Sequence, residues 1–439
     1  MAVKITNWPL WNEFLDPPAS VSEDTFTSSS KAKAEVIAQY GEAALRQGWL
    51  KVCKQLEVVT ERLAKLGSDA IPVLGIEDFG PGGLSEERRS EVKSSGCCIV
   101  RGVLDREEAT SMFENLKDFV VRNQGDIMGW PAESPIMFNL YNSPTQVAVR
   151  THPNQILVQK SLNSLYHDAS GTTSSQPLSY TDATRIRPPR QPFLTLGPHI
   201  DAGSLCRWAD PRYRDVYAKI LSGYPEQHDP YDLEVRKDAN QFLFEAKAHS
   251  VVFRAFQGWT ALTPTSPSVG SLLLYPEVSA VIAYVMLRPF FKPPAKEEDV
   301  MKAEEWTFDP DSSWFPGTIK EQSQRLSPSS HPHLRLKDCL TFIPEMQPGD
   351  TVWWHTDMCH AVDPDHFGDG DASVVYVAAC PTTPTNQDYV KKQLEAALAG
   401  RCPPDCLNVT TDETKLKGYK GFDDVSEEGK AVLGFNLIQ

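Results

Sequence analysis

The sequence predicts an α+β protein, mainly β, in which an antiparallel sandwich or barrel is wrapped by an N-terminal helical layer and interrupted by two insertions. Two observations predict this. Residues 31–66 are a run of helix formers with apolar positions at three- and four-residue spacing. From about residue 155 onward the texture changes to short apolar runs broken by Gly, Pro, Asn and Asp. The chain's 34 prolines and 26 glycines also favour turns and long connections over a helical bundle.

The elements follow in chain order. Residues 31–66 read as one or two amphipathic helices packed outside the main domain. Ser85, followed by Glu86 and Glu87, has the pattern of a helix cap over 85–95. GCCIVRGVLD (96–105) reads as a buried strand ending in a turn, and REEATSMFENLKDFVVRN as the helix after it. QILVQKSL, SVVFRAFQGWTALT, GSLLLYP, CLTFIP, DTVWWH and ASVVYVAA each read as a strand. Six such strands point to a sandwich or barrel. Charged, helical sequence over 210–250 and a segment over 277–330 read as insertions. The expected organisation is a helical extension at 1–70, a main domain at 71–395, and a tail at 396–439 packed on its core.

Bulk properties narrow the function. At 439 residues, with 41% apolar composition, the chain has material for a large core. A net charge of −15 argues against nucleic-acid and anionic membrane partners, which need clustered lysine and arginine. No apolar run reaches the ~18 residues of a membrane span. The opening MAVKITNWPLWNEF lacks the apolar core of a secretory signal. Nine cysteines without a spacing framework suggest reduced thiols and a cytoplasmic location. A monomer or homodimer acting on a small molecule is the expectation.

Histidine spacing suggests the chemistry. A metal triad of two histidines and one carboxylate leaves coordination positions open for substrate and oxygen. In a double-stranded β-helix two of these ligands come as His-x-Asp near an early strand, because residues two apart in an extended chain face the same way. The third is a histidine on a late strand. Of ten histidines, two begin His-x-Asp: His199-Ile200-Asp201 and His355-Thr356-Asp357. After the second pair only His360 and His366 remain, too close to come from a strand that has crossed the sheet. His199 and Asp201 as the early pair leave both His355 and His360 late enough to serve.

GPHIDAG (197–203), FRAFQGWTALT (253–263), GSLLLYP (270–276) and GDTVWWHTDMCHAV (349–362) together resemble the Fe(II)/2-oxoglutarate-dependent dioxygenases in their phytanoyl-hydroxylase-like branch. SYTDATRIRPP (179–189), HIDAGSLCRWADPRYRDVYAKIL and VVYVAACPTTPTNQDYV (374–390) resemble more closely the group defined by domain of unknown function 1479, as a fungal-type member. The resemblance runs in order from about residue 70 to 395. It implies a jelly-roll core, Fe(II) as cofactor, and 2-oxoglutarate and O2 as co-substrates. In that superfamily the late histidine follows a Gly-Asp turn like Gly349-Asp350, which selects His360 over His355. His355 and Asp357 are then expected behind the ligands, His355 as a packed ring.

The far carboxylate of 2-oxoglutarate needs a cation, best the fork of an arginine. Where the branch places that arginine, this chain has Asp371, with Ser373 nearby, and no arginine occurs between His360 and Arg401. The expected replacements are Arg185, Arg187, Arg254 or Lys160, with Ser373 adding a hydroxyl. A substrate wall is expected from Arg207, Phe256, Gln257, Trp259, Thr263, Phe342 and Ile343, and a lid from 290–330. The resemblance further implies oxidation of an unactivated C–H bond. Fungal enzymes of this kind act on small free amino acids, with cyclisation of valine to an aziridine as one outcome. The rival readings are a cupin-like metalloenzyme that does not use 2-oxoglutarate, and a non-enzymic jelly-roll binding protein.

Overall fold

The computed structural model describes residues 5, 7–80, 82–193, 196–246, 249–406 and 409–438. Residues 1–4 and 6 of the expected extension, 247–248 of the first insertion, and 407–408 and 439 of the tail lie outside it, as do 81 and 194–195.

The core is a jelly roll made of two sheets. Strands of the larger sheet lie in the order Val73–Gly75, Cys97–Arg101, Thr351–His355, Phe256–Ala261, Ala372–Thr382, Thr184–Arg187, Met137–Phe138 and Gly129–Trp130. Ser174–Leu178 pairs with the far end of Ala372–Thr382. The smaller sheet runs Gln324–Arg325, His199–Ile200, His360–Val362, Leu272–Leu274 and Thr341–Phe342. Within these sheets every pairing is antiparallel among the described residues, apart from that of Val73–Gly75 with Cys97–Arg101.

Alternation along the strands assigns each side chain to a layer. Trp259, Ala261, Val352, Trp354 and Val374 of the larger sheet meet Leu272 and Leu274 of the smaller one and form the interior. The opposite face of the larger sheet, with Trp353, Phe256, Val375 and Val377, packs on Phe113, Leu116, Val149, Val158 and Leu162 of flanking helices. Behind the smaller sheet, Ile200, Leu273 and Ala361 pack on the long helix Glu23–Leu66.

That helix begins earlier than its sequence pattern suggests and consists of two helical segments joined at a kink at Gly41. Ser22 caps it by accepting from Thr25 N, and at Gly41 the backbone turns to φ 79°. Its buried stripe, Leu45, Trp49, Val52, Leu56, Val59 and Leu63, keeps the four-and-three spacing of one helical face. Helix Glu86–Ser95 starts at Ser85, whose hydroxyl accepts from Arg88 N.

One expectation about the strands needs correction. QILVQKSL is not a strand: it lies in helix Pro153–Asn163, entered through Pro153 at its first turn and the His152 ring, which accepts from Asn154 N. Its Ile-Leu-Val run is too short to separate a buried helix from a strand by periodicity. The second insertion opens with helix Ser279–Leu287, whose residues 280–287 are all buried beside the long helix. No helix among the described residues is long and apolar enough to cross a membrane. The tail packs Phe422 and Leu433 against Val147, Leu394 and Ala397, and Glu413 accepts from the backbone of Tyr141 and Asn142 at 2.7 Å each.

Candidate metal centre and its surroundings

The turn that leads to the late histidine depends on glycine. Gly349 sits at φ 90°, and a Cβ there would meet Leu104 O at 2.2 Å. Asp350 beside it accepts from Gly102 N at 3.0 Å and Arg101 at 2.6 Å, fixing the entry to strand Thr351–His355. Along that strand Trp354 faces the interior and His355 faces away. The chain then turns through 356–359 and returns as His360–Val362 in the other sheet.

His360 is paired directly across from His199. Their ring centroids stand 4.2 Å apart, and Asp201 reaches both: Oδ1 lies 3.5 Å from His199 Nε2 and Oδ2 lies 3.4 Å from His360 Nε2. One ligand atom from each of the three residues falls within 4.8 Å of the others. Ligand atoms held about 2.1 Å from a shared ion stand about 3.0–3.4 Å apart, so the cluster matches a common ion with little movement. Each Nδ1 lies against a backbone carbonyl, Gly197 O at 2.8 Å for His199 and Met358 O at 3.0 Å for His360. With Nδ1–H donating there, the Nε2 lone pairs point toward the ion's position. Burial first, then His360, push the His199 imidazole down to about 3, so it is neutral and able to ligate at neutral pH. Two imidazoles and one carboxylate converging on one point are a donor set suited to Fe(II).

The structure separates the remaining expected site residues into three places. On the interior face lie Gln257, Trp259, Ile343 and Arg185. Arg185 is paired with Val374 across two antiparallel strands. Its Nη2 donates to Gly270 O at 2.8 Å, while its buried Nε has no partner. Arg254 stands at the end of the barrel, stacked 5.3 Å from the Tyr180 ring, within electrostatic reach of Asp201 and Asp182.

Other candidates are committed to holding the frame. Arg187 spends its donors on the backbone carbonyls of Gln191, Asp363 and Pro364 at 2.7–2.9 Å. The Ser373 hydroxyl donates to Arg185 O at 2.9 Å, and Thr263 accepts from Ser373 N at 2.9 Å. Arg207, with its side chain fully buried, does not line a pocket: it donates to Asp201 O at 2.7 Å and lies 3.7 Å from Asp357. Asp357 also pairs with Arg236 and accepts from Tyr217 at 3.0 Å. Thus Arg207 joins the segment before His360 to the backbone of Asp201. There the chain turns sharply, with Ala202 at φ 61°.

A third group faces the wrong way. Phe256 packs outside the larger sheet on Tyr166 and Tyr231, because it alternates with Gln257. Phe342 turns toward the long helix for the same reason. Lys160 is exposed on the outer helical layer. His355 stacks on Tyr166 at 5.7 Å and lies 3.1 Å from Pro230 O, on the side opposite the interior.

Sequence reasoning passed over four residues. Trp354 packs its ring 5.1 Å from His360. Ser323 donates to Asp201 Oδ1 at 3.1 Å. Tyr376 lies on the interior face opposite Trp259, within electrostatic reach of Arg185, Asp182 and Asp201. Arg325 is paired with His199. For Trp354 and Tyr376 the signal was available in strand alternation once the register was known. Ser323 and Arg325 sit in an insertion whose path the sequence does not reveal.

Burial also keeps other histidines neutral: His228, His333 and His355 are each pushed down to about 4, mainly by desolvation. Unfolded histidine titrates near 6.5, so between about pH 6.5 and 4 the unfolded chain binds protons that the native state refuses. Stability therefore rises with pH across this window and is lost as pH falls, by at most about 1.4 kcal/mol per pH unit for each such histidine. Urea midpoints at pH 7.5 and 5.5 are expected to differ clearly, and equal midpoints would contradict the buried-neutral assignment.

The Gig2-like family model matches residues 24–435. YbiU of Escherichia coli (strain K12), itself uncharacterised, is 29% identical over 439 residues, covering 95% of this chain and 100% of that protein. The crystal structure of GlcNAc Inducible Gene 2, Gig2, from Candida albicans superposes with a TM-score of 0.82 at 26% identity, over 95% of this chain and 90% of that one. That of a Salmonella typhimurium LT2 protein, provisionally described as an oxidoreductase, gives 0.80 at 27% identity, over 96% and 99%.

Proposed function

The chain belongs to the Gig2-like family, and we propose that it is a non-haem Fe(II)- and 2-oxoglutarate-dependent oxygenase that oxidises an unactivated C–H bond of a small molecule. The observation that carries this reading is the His199–Asp201–His360 cluster, with both Nδ1 atoms anchored and a partner-seeking arginine on the facing sheet. His199, Asp201 and His360 hold the metal. Fe(II) bound there with 2-oxoglutarate and O2 supplies a C–H oxidant, and succinate and CO2 are the co-products.

Arg185 takes the far carboxylate of 2-oxoglutarate. It stands on the strand beside the one that carries the arginine in the resembling enzymes, and Ser373 fixes its backbone carbonyl. Trp259, Trp354, Val374 and Tyr376 give the interior an apolar lining that keeps bulk water from the reacting centre. The finer reading, a small free amino acid such as valine hydroxylated or cyclised, is supported by the sequence resemblance.

The test is anaerobic titration of the metal-depleted protein with Fe(II) and 2-oxoglutarate, following the visible metal-to-ligand charge-transfer band. A band in the wild type that disappears in Arg185→Gln, with Fe(II) still bound, is the expected result. Iron binding without a band would favour the cupin-like alternative, for which the missing arginine after His360 is the supporting observation. No iron binding would favour a binding protein.

A further inference from the structure

Arg325 is a cation beside the metal ligands on the smaller sheet, and we propose that it binds a carboxylate of the substrate. This rests on the oxygenase reading and adds the substrate class: an organic acid, oriented by Arg325 on the His199 side of the metal.

Placement comes first. Arg325 and His199 are direct partners across two antiparallel strands, and His199 is in turn the partner of His360. Such partners stand with Cβ atoms about 4.5–5.5 Å apart on the same face, so Arg325, His199 and His360 form one row on the interior face of the smaller sheet. Arg185 belongs to the other sheet. One 2-oxoglutarate has one far carboxylate, and the two arginines approach the triad from different sheets, so Arg325 is left for a second anion.

Its chemistry comes next. The guanidinium makes no hydrogen bond or ion pair with any described residue, and burial lowers its pKa against the pull of Asp201. Arg325 is half-buried, so its guanidinium fork stays open to an incoming anion. Arg325 also lines a cavity of about 230 Å³ with Gly197, Gln322, Phe14 and Trp11. Trp11 is 8% exposed, and its indole N–H has no hydrogen-bond partner. That cavity sets the Arg325 guanidinium beside apolar rings, which suits a carboxylate on a short carbon chain.

The residue is also held in place. Arg325 N donates to Gly317 O at 2.8 Å, and a Cβ on Gly317 would meet Arg325 O at 1.9 Å, so only glycine permits this clamp. Thr318 donates to Gln324 at 2.8 Å beside it. The second insertion thus delivers a preorganised cation to the metal site.

The test uses the protein saturated with Fe(II) and 2-oxoglutarate under anaerobic conditions. Butyrate, pentanoate and hexanoate are titrated against their carboxamides, with tryptophan emission as the readout. The acids are expected to bind and the amides not. Arg325→Gln is expected to weaken the acids at least about tenfold, and Arg325→Lys, which keeps the charge without the fork, by less. Acids and amides binding alike, or Arg325→Gln leaving acid binding unchanged, would overturn the proposal. Loss of the charge-transfer band in Arg325→Gln would also overturn it, by assigning Arg325 to 2-oxoglutarate. If the wild type shows no band, the oxygenase reading fails, and the same acid–amide comparison on the metal-free protein still decides whether Arg325 binds carboxylates.

Discussion

His360→Ala is expected to lose Fe(II) affinity by more than about 100-fold and to lose turnover with it, whereas His355→Ala keeps the metal. Even residues behind a ligand cost about 10–100-fold when removed, so a ligand itself costs more. His360 Nε2 lies 3.4 Å from Asp201 Oδ2 and its Nδ1 is anchored on Met358 O. His355 has its ring against Tyr166 and its nitrogens engaged by Pro230 O and Asp357 N, on the other face of the sheet. Removing it costs packing and hydrogen bonds, about 2–4 kcal/mol of stability. Isothermal titration with Fe(II) under nitrogen, alongside urea unfolding, separates the two effects. A His355 variant that loses metal while His360→Ala retains it would exchange their roles.

The second large effect is expected at Asp357. Its carboxylate is fully buried between Arg236 and Arg207 and accepts from Tyr217. Asp357→Ala leaves two guanidiniums buried without their counter-charge, which should destabilise the fold by about 3–5 kcal/mol. Asp357→Asn keeps an acceptor without the charge and should fall between alanine and wild type. Burial works to raise the Asp357 carboxyl, but Arg236, with His355 and Arg207, outweighs it and holds the group well below the usual carboxylate range. A depressed carboxylate stabilises fully above its unfolded value near 4 and loses that contribution as pH falls toward its folded value. The gap between wild type and Asp357→Ala should therefore be widest near neutrality and shrink below about pH 4. A gap that grows on acidification would show that the ion pairs are not its source.

Local pattern carried far in some parts of the chain. Ser85 as a cap, the buried strand at 97–101 and the strand at 351–355 are legible within a few residues, from a capping hydroxyl and the apolar run of each strand. Helix Pro153–Asn163 was misread because its apolar run satisfies two periodicities at once, and packing against the larger sheet chose between them.

The site divides along the same line. His-x-Asp and the order of the histidines along the chain are sequence properties, and they narrowed the late partner to His355 or His360; the resemblance chose His360. Which cations face the interior depended on contacts between residues far apart in the chain: the pairing of Arg185 with Val374 across two strands, the spending of Arg187 on backbone carbonyls, and the route by which the second insertion brings Arg325 beside His199. A one-residue change of register reverses the face of every side chain on a strand. The sequence by itself therefore determined which chemistry the chain can assemble, and only the tertiary structure decided which arginines are present at the metal.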